Sequence, residues 1–136
     1  LWMKMINSLV WNQVAFLTHA SNGEIASAPE VVELVRAMME EAETVAAALG
    51  VVPRVPLEKR IAMTLAAADH RMSMLQDLER SRPIEIDTLA DSIRVMSRLA
   101  GVATPLIDAV IPMTKLKGTV SGVYRTPDCQ GEERDL

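Results

Sequence analysis

Aromatic residues are scarce in this chain: two Trp, one Tyr and one Phe among 136 residues, 3% in all. With 49% of the residues drawn from AVILMFWYC, any core must be built from aliphatic side chains. Cysteine is nearly missing as well. Cys129 stands alone, which excludes an intrachain disulfide and points to a reducing, cytoplasmic setting. There is no basic block. Fourteen Lys and Arg against eighteen Asp and Glu leave a net charge of −4, so a nucleic-acid surface lacks its electrostatic footprint. No apolar run approaches the roughly 18–20 residues of a membrane span. The opening LWMKMINSLVWNQVAFL lacks the short basic region before an uninterrupted apolar segment that marks a secretory signal. Neither GxGxxG nor GKS/GKT occurs, so this chain carries no phosphate-cradling loop of its own. His19 and His70 are the only imidazoles, without HxxxH or HExxH spacing, which leaves no metal site to expect. The chain also opens at Leu1 inside a helical pattern, with no initiator Met and no cap, as expected of a piece of a longer protein.

What is present is helical. Nine Met with many Ala and Leu favour helices over a β-sandwich, and the periodicity predicts six. The first covers about 2–18 and ends before SNGE, where Asn22-Gly23 reads as a breaker. The second opens at Ser27, with Glu30 three residues on as a capping box and Pro29 in the first turn. It stops at Gly50, a left-handed C-cap residue. Pro56 opens a third to about His70, and a short fourth covers roughly 73–79. Pro83 opens a fifth, whose apolar positions Ile86, Leu89, Ile93, Met96 and Ala100 step by three and four until Gly101 closes it. Thr104-Pro105 is a cap and N1 proline for the sixth, ending near Gly118. The remaining 119–136, TVSGVYRTPDCQGEERDL, has no periodicity, and its polar end reads as a mobile tail.

The first helix carries an unusual stripe. At about 100° per residue, Lys4, Ser8 and Asn12 follow one slowly drifting line, with Asn7 at its edge and Trp11 within it. One reading is a solvated face. The other is the wall of a cleft, because solvated faces use more charge, as the second helix does with Glu30, Glu33, Glu40, Glu41 and Glu43. Partial desolvation in a cleft would make Lys4 a usable proton donor. Elsewhere the chemistry is sparse. Glu40, Glu41 and Glu43 have no ExxH partner and read as a solvated helix face, Cys129 falls in the expected tail, and the Met positions read as core filler.

Two separated stretches resemble one family. WMKMINSLVWNQVAFLTHASNGEI at 2–25 is similar to the W-x-K, spaced polar residues and N-G turn of the ketopantoate reductases (2-dehydropantoate 2-reductases). SMLQDLERSRPIEIDTL at 73–89 is similar to their S-M-x-Q-D, R and E-I-D pattern, and GVATP at 101–105 also fits. The resemblance covers residues 1–118 as a C-terminal helical substrate domain. It implies an all-α bundle similar to the 6-phosphogluconate dehydrogenase C-terminal-like fold, working with an N-terminal Rossmann domain that lies outside this chain and holds most of the NADPH. The implied reaction is hydride transfer to the ketone of a 2-oxo acid such as 2-dehydropantoate, a step of pantothenate biosynthesis. The isolated chain is expected to be inactive.

By the same resemblance, Lys4 matches the catalytic lysine that stabilises the developing alkoxide and delivers its proton. Asn12, Asn22 and Ser73 match substrate contacts, and Glu85 matches the glutamate that reaches the cofactor, through ribose hydroxyls. Ser8 stands where the family usually has a second asparagine, so the pocket is expected to be roomier there. Ala90-Asp91-Ser92 replaces the usual N-G after E-I-D-x-L. The expected partners are the Rossmann domain and a 2-oxo acid; the resemblance also allows a homodimer. The charged run between 73 and 87 then reads as a connector whose ends, Ser73 and Glu85, face one cleft. The alternative is a helical interaction module that keeps the fold and has lost the chemistry, as the departures at Ser8 and Asp91 would suit.

Overall fold

Eight consecutive residues of the first helix, Leu9 through Phe16, are buried. The structure, a computed structural model, describes residues 2–127. Within them it is all-α, with seven helices and no strand: α1 (Trp2–Thr18), α2 (Asn22–Ala26), α3 (Pro29–Ala48), α4 (Leu57–Ala66), α5 (Ser73–Glu79), α6 (Asp87–Ala100) and α7 (Pro105–Val120). Helix α1 packs against α3, α5, α6 and α7. A helix enclosed on this many sides needs apolar residues around its circumference, and Ile6, Leu9, Val10, Trp11, Val14 and Ala15 supply them to the main core. Each large aliphatic side chain taken out of water there contributes about 1.5–3 kcal/mol.

Enclosure also explains why α1 has so little charge. Its two buried polar residues, Asn12 and Gln13, are paired with neighbouring helices, whereas Asn7 Oδ1 and Trp11 Nε1 are buried without a partner among the described residues. Gln13 Nε2 donates to the Leu9 carbonyl at 3.0 Å, and its Oε1 accepts from Thr114 Oγ1 of α7 at 2.9 Å. At the far end, the Lys117 ammonium donates to the carbonyls of Phe16 and Leu17, satisfying part of the orphaned C-terminus of α1. Burial lowers the pKa of this ammonium from the usual lysine range. The stripe itself passes from exposed Lys4 through half-buried Ser8 to buried Asn12, so it is a solvated face only at its start.

The helix boundaries differ from expectation at instructive places. Asn22-Gly23 does not break the chain; it begins the short α2. The capping box is Ser21 with Glu24, not Ser27 with Glu30: Ser21 Oγ accepts from Glu24 N at 3.3 Å, and Ser21 N donates to Glu24 Oε1 at 3.1 Å. Gly23 is needed for close approach, since a Cβ there would sit 3.0 Å from the Ala68 carbonyl oxygen. Helix α6 starts at Asp87, leaving Pro83–Ile86 outside it, because the Ile84 N–H is committed to the Val123 carbonyl at 2.8 Å. Ile93 is buried in the main core with Leu89, Met96 and Ala100 packed against it, as their spacing requires, whereas Ile86 is buried in a second, smaller core.

Thr104 takes the N-cap position of α7 before Pro105, as expected, but its side chain makes no capping bond to the helix N–H groups. Glu41 supplies the side-chain cap, its two carboxylate oxygens accepting from Leu106 N at 2.8 Å and Ile107 N at 3.0 Å. Glu43 pairs with the buried Arg60 of α4, whose burial lowers its pKa. The acidic cluster on α3 is thus structural work, not a solvated face; only Glu40 of the three stands exposed. The stretch expected to begin a tail at 119 is packed at its start: Val123 and Tyr124 are buried. Cys129 lies outside the described residues. No helix of the described residues is long and apolar enough to cross a membrane, and no three His, Cys, Asp or Glu among them are grouped to hold a metal ion.

Candidate active site

Where α1 meets the α5–α6 connection, a pocket of about 770 Å³ opens to solvent, lined by Ser8, Asn12, Ser73, Met74, Asp77, Arg82, Pro83, Glu85, Thr88 and Leu89. Four of the six residues singled out in the sequence, Ser8, Asn12, Ser73 and Glu85, come together here from two segments about sixty residues apart.

Asn12 is the fixed point. Its Oδ1 accepts two hydrogen bonds, from Ser73 Oγ at 3.0 Å and from Met74 N at 3.0 Å. A backbone N–H can only donate, so the amide orientation is set: oxygen toward α5, NH2 away from it. That NH2 has no acceptor among the described residues, and Asn12 lines the pocket. The serine hydroxyl gives its proton to Asn12, which leaves its oxygen lone pairs available to the pocket. Helix α1 thus offers a donor and α5 an acceptor, locked to each other.

Ser8 lies one turn before Asn12, half-buried, with no hydrogen bond among the described residues. Its short side chain leaves space where a longer amide would project. Across the pocket, Arg82 Nη2 pairs with Asp77 Oδ1 at 3.1 Å. Glu85 is exposed and has no partner among the described residues. Two carboxylates against one guanidinium make the pocket itself weakly acidic.

Lys4 and Asn22 stand apart from this group. Lys4 is exposed and does not line the pocket, contrary to the expected cleft wall. It sits one turn before Ser8 on the same line, about 6 Å along the helix axis, so its long stem can swing toward the opening. No element among the described residues covers it. Asn22 is buried and does not line the pocket; its Nδ2 donates to the Thr64 carbonyl at 3.1 Å and its N–H to the His70 carbonyl at 3.0 Å. It ties α2 to the end of α4, and its Oδ1 is buried without a partner among the described residues. Of the departures near α6, Ala90 fills the core and Asp91 is exposed away from the lining. Sequence reasoning missed Asp77 and Arg82 as lining residues; their spacing across the end of α5, closed by Arg82 N donating to the Asp77 carbonyl at 2.8 Å, was the available signal.

Residues 1–118 match the family model described as ketopantoate reductase PanE/ApbA C terminal. The chain belongs to the ketopantoate reductase family. It is 35% identical over 124 residues to the 2-dehydropantoate 2-reductase of Mesorhizobium japonicum, covering 91% of this chain and 38% of that one. To the Pyrobaculum aerophilum 2-dehydropantoate 2-reductase it is 31% identical over 117 residues, covering 85% of this chain and 42% of the relative. The crystal structure of 2-dehydropantoate 2-reductase from Methylococcus capsulatus superposes with a TM-score of 0.78 at 29% identity, over 90% of this chain and 40% of that one. The chain therefore spans about two fifths of the length of the ketopantoate reductases it matches, the part that the family model calls C terminal.

Proposed function

We propose that this chain is the substrate-side domain of an NADPH-dependent 2-oxo acid reductase, acting on 2-dehydropantoate or a related 2-oxo acid to give the 2-hydroxy acid, with an N-terminal Rossmann domain as its partner. The observation that carries this reading is the shared pocket of Ser8, Asn12, Ser73 and Glu85, built from the two segments that resemble the family's motifs.

The residues fit the cofactor at one end only. Glu85 is an unpaired carboxylate at the pocket rim, a suitable acceptor for ribose hydroxyls and an unsuitable neighbour for phosphates, which a separate cradle must hold. When bound, the nicotinamide supplies the hydride. The chain's own residues do the remainder. The Asn12 NH2 and Ser73 oxygen orient the polar groups of the acid, and the Lys4 ammonium, on the same helix line, donates its proton to the carbonyl oxygen as that oxygen gains charge. Because the pocket carries a net negative charge of its own, an anionic substrate depends on Lys4 to offset it. A domain closing over the exposed Lys4 would strengthen that interaction by excluding water.

The test is NADPH oxidation by the full-length protein across a panel of 2-oxo acids, monitored by absorbance. Turnover with at least one member is expected. Absence of turnover with every member, from protein shown to bind NADPH, would favour a non-catalytic helical module.

A further inference from the structure

Glu85 has no side-chain partner among the described residues, so nothing but its backbone determines where its carboxylate stands. That backbone is outside any helix, between α5 and α6, in a stretch where Ser81 takes a positive φ of 55°. Yet the residues on either side of Glu85 are fastened. Ile84 and Ile86 are buried in a second, smaller core with Phe16, Met74, Val123 and Tyr124. The Ile84 N–H donates to the Val123 carbonyl at 2.8 Å. Asp87 Oδ1 accepts from Tyr124 Oη at 2.8 Å and pairs with Lys115 Nζ at 3.1 Å.

The hydrogen bonds to Ile84 and Asp87, apart from the Lys115 pair, come from one turn after α7. Val123 N and Tyr124 N both donate to the Gly118 carbonyl, at 2.9 and 3.1 Å, folding the chain back on the helix end. Gly118 makes the approach feasible: a Cβ there would lie 2.6 Å from Tyr124 Cβ and 3.2 Å from Ile84 Cδ1. Ile84 and Ile86 are buried, while Glu85 between them is exposed and lines the pocket.

We infer that the turn Ser121–Tyr124 is a positioning element for the site: it grips Ile84 and Asp87 from behind and so holds the Glu85 carboxylate where cofactor hydroxyls can meet it. Tyr124 is a positioning residue acting through Glu85, and the inference rests on the proposed reading of Glu85 as a cofactor contact.

The test uses the full-length protein and two readouts: NADPH Kd by calorimetric titration, and hydrogen exchange of the Ile84 amide without cofactor. Glu85→Gln is expected to weaken NADPH about tenfold, and Tyr124→Phe about threefold to tenfold, the range of one lost hydrogen bond. The double variant should bind no worse than Glu85→Gln alone, within about twofold, because residues acting through one group are not additive. Ile84 exchange should quicken by about tenfold in Tyr124→Phe through local opening. Should Tyr124→Phe fold poorly, Asp87→Ala removes the same bond from its other side and is expected to give the same Kd and exchange changes. Unchanged affinity in Glu85→Gln overturns the cofactor role of Glu85 and this inference together. Weakened binding in Glu85→Gln with normal binding in Tyr124→Phe overturns the positioning role alone, as does a double variant whose losses multiply.

Discussion

The hydroxyl of Ser73 donates to the amide oxygen of Asn12 across 3.0 Å, joining residues sixty-one positions apart in the chain. With Met74 N on the same oxygen, the bond turns a flexible amide into a directional donor. Replacing Asn12 by Asp keeps the acceptor for α5 and removes the NH2. We expect the folded state to survive while kcat/KM for the 2-oxo acid falls about 10²-fold, some 2.7 kcal/mol of lost and repulsive interaction with an anion. Circular dichroism with steady-state kinetics checks both halves of that statement.

Lys4→Ala removes the proposed proton donor from an exposed position, where truncation leaves the core untouched. The expected result is a kcat lower by about 10²–10⁴-fold with an unchanged melting temperature. Near-normal turnover would place the proton donor elsewhere.

Ser8→Asn fills the space beside Asn12. Bulky 2-oxo acids should then lose roughly tenfold in kcat/KM relative to small ones, the scale of one or two methylenes excluded from a pocket. A substrate panel run on both proteins reads this directly; an unchanged ranking would remove Ser8 as a determinant of specificity.

Glu41→Ala strips the cap from α7, exposing the N–H groups of Leu106 and Ile107. A loss of about 1–2 kcal/mol is expected. Thermal unfolding should show it as a drop on the order of 3–8 °C.

Tyr124 is held protonated, its pKa pushed up to about 12, first by burial and then by the bond to Asp87 and the charges of Asp87 and Asp91. An unfolded tyrosine titrates near 10. Between those values the unfolded chain releases a proton that the folded one keeps, so stability present below about pH 10 is lost as pH rises toward about 12. Tyr124→Phe should flatten this alkaline limb in denaturant titrations at stepped pH, and an unaltered limb would mean that other groups govern it.

The long elements were legible in the sequence because their periodicity and their burial have the same origin: α1, α5 and the apolar face of α6 lie where the spacing puts them. What escaped was decided by partners distant in the chain. Glu41 reads as one more surface acid until α7 is placed over it. Gly23 reads as a turn until Ala68 is brought against it. Val123 and Tyr124 read as the start of a tail because two apolar residues show no period. In the site, the two motif segments indicated Ser8, Asn12, Ser73 and Glu85 together, whereas the burial of Asn22 goes with its hydrogen bonds to Thr64 and His70, which local pattern does not encode.

The enclosure of α1 has a consequence for how the protein is made. Gln13 and the end of α1 are bonded by Thr114 and Lys117, about one hundred residues later. Contacts of such separation form late, so during synthesis the first helix must wait, greasy and unshielded, until nearly all of this stretch has left the ribosome. A premature stop before α7 would not yield a slightly shorter domain; it would leave that helix open and the nascent product exposed to aggregation and degradation.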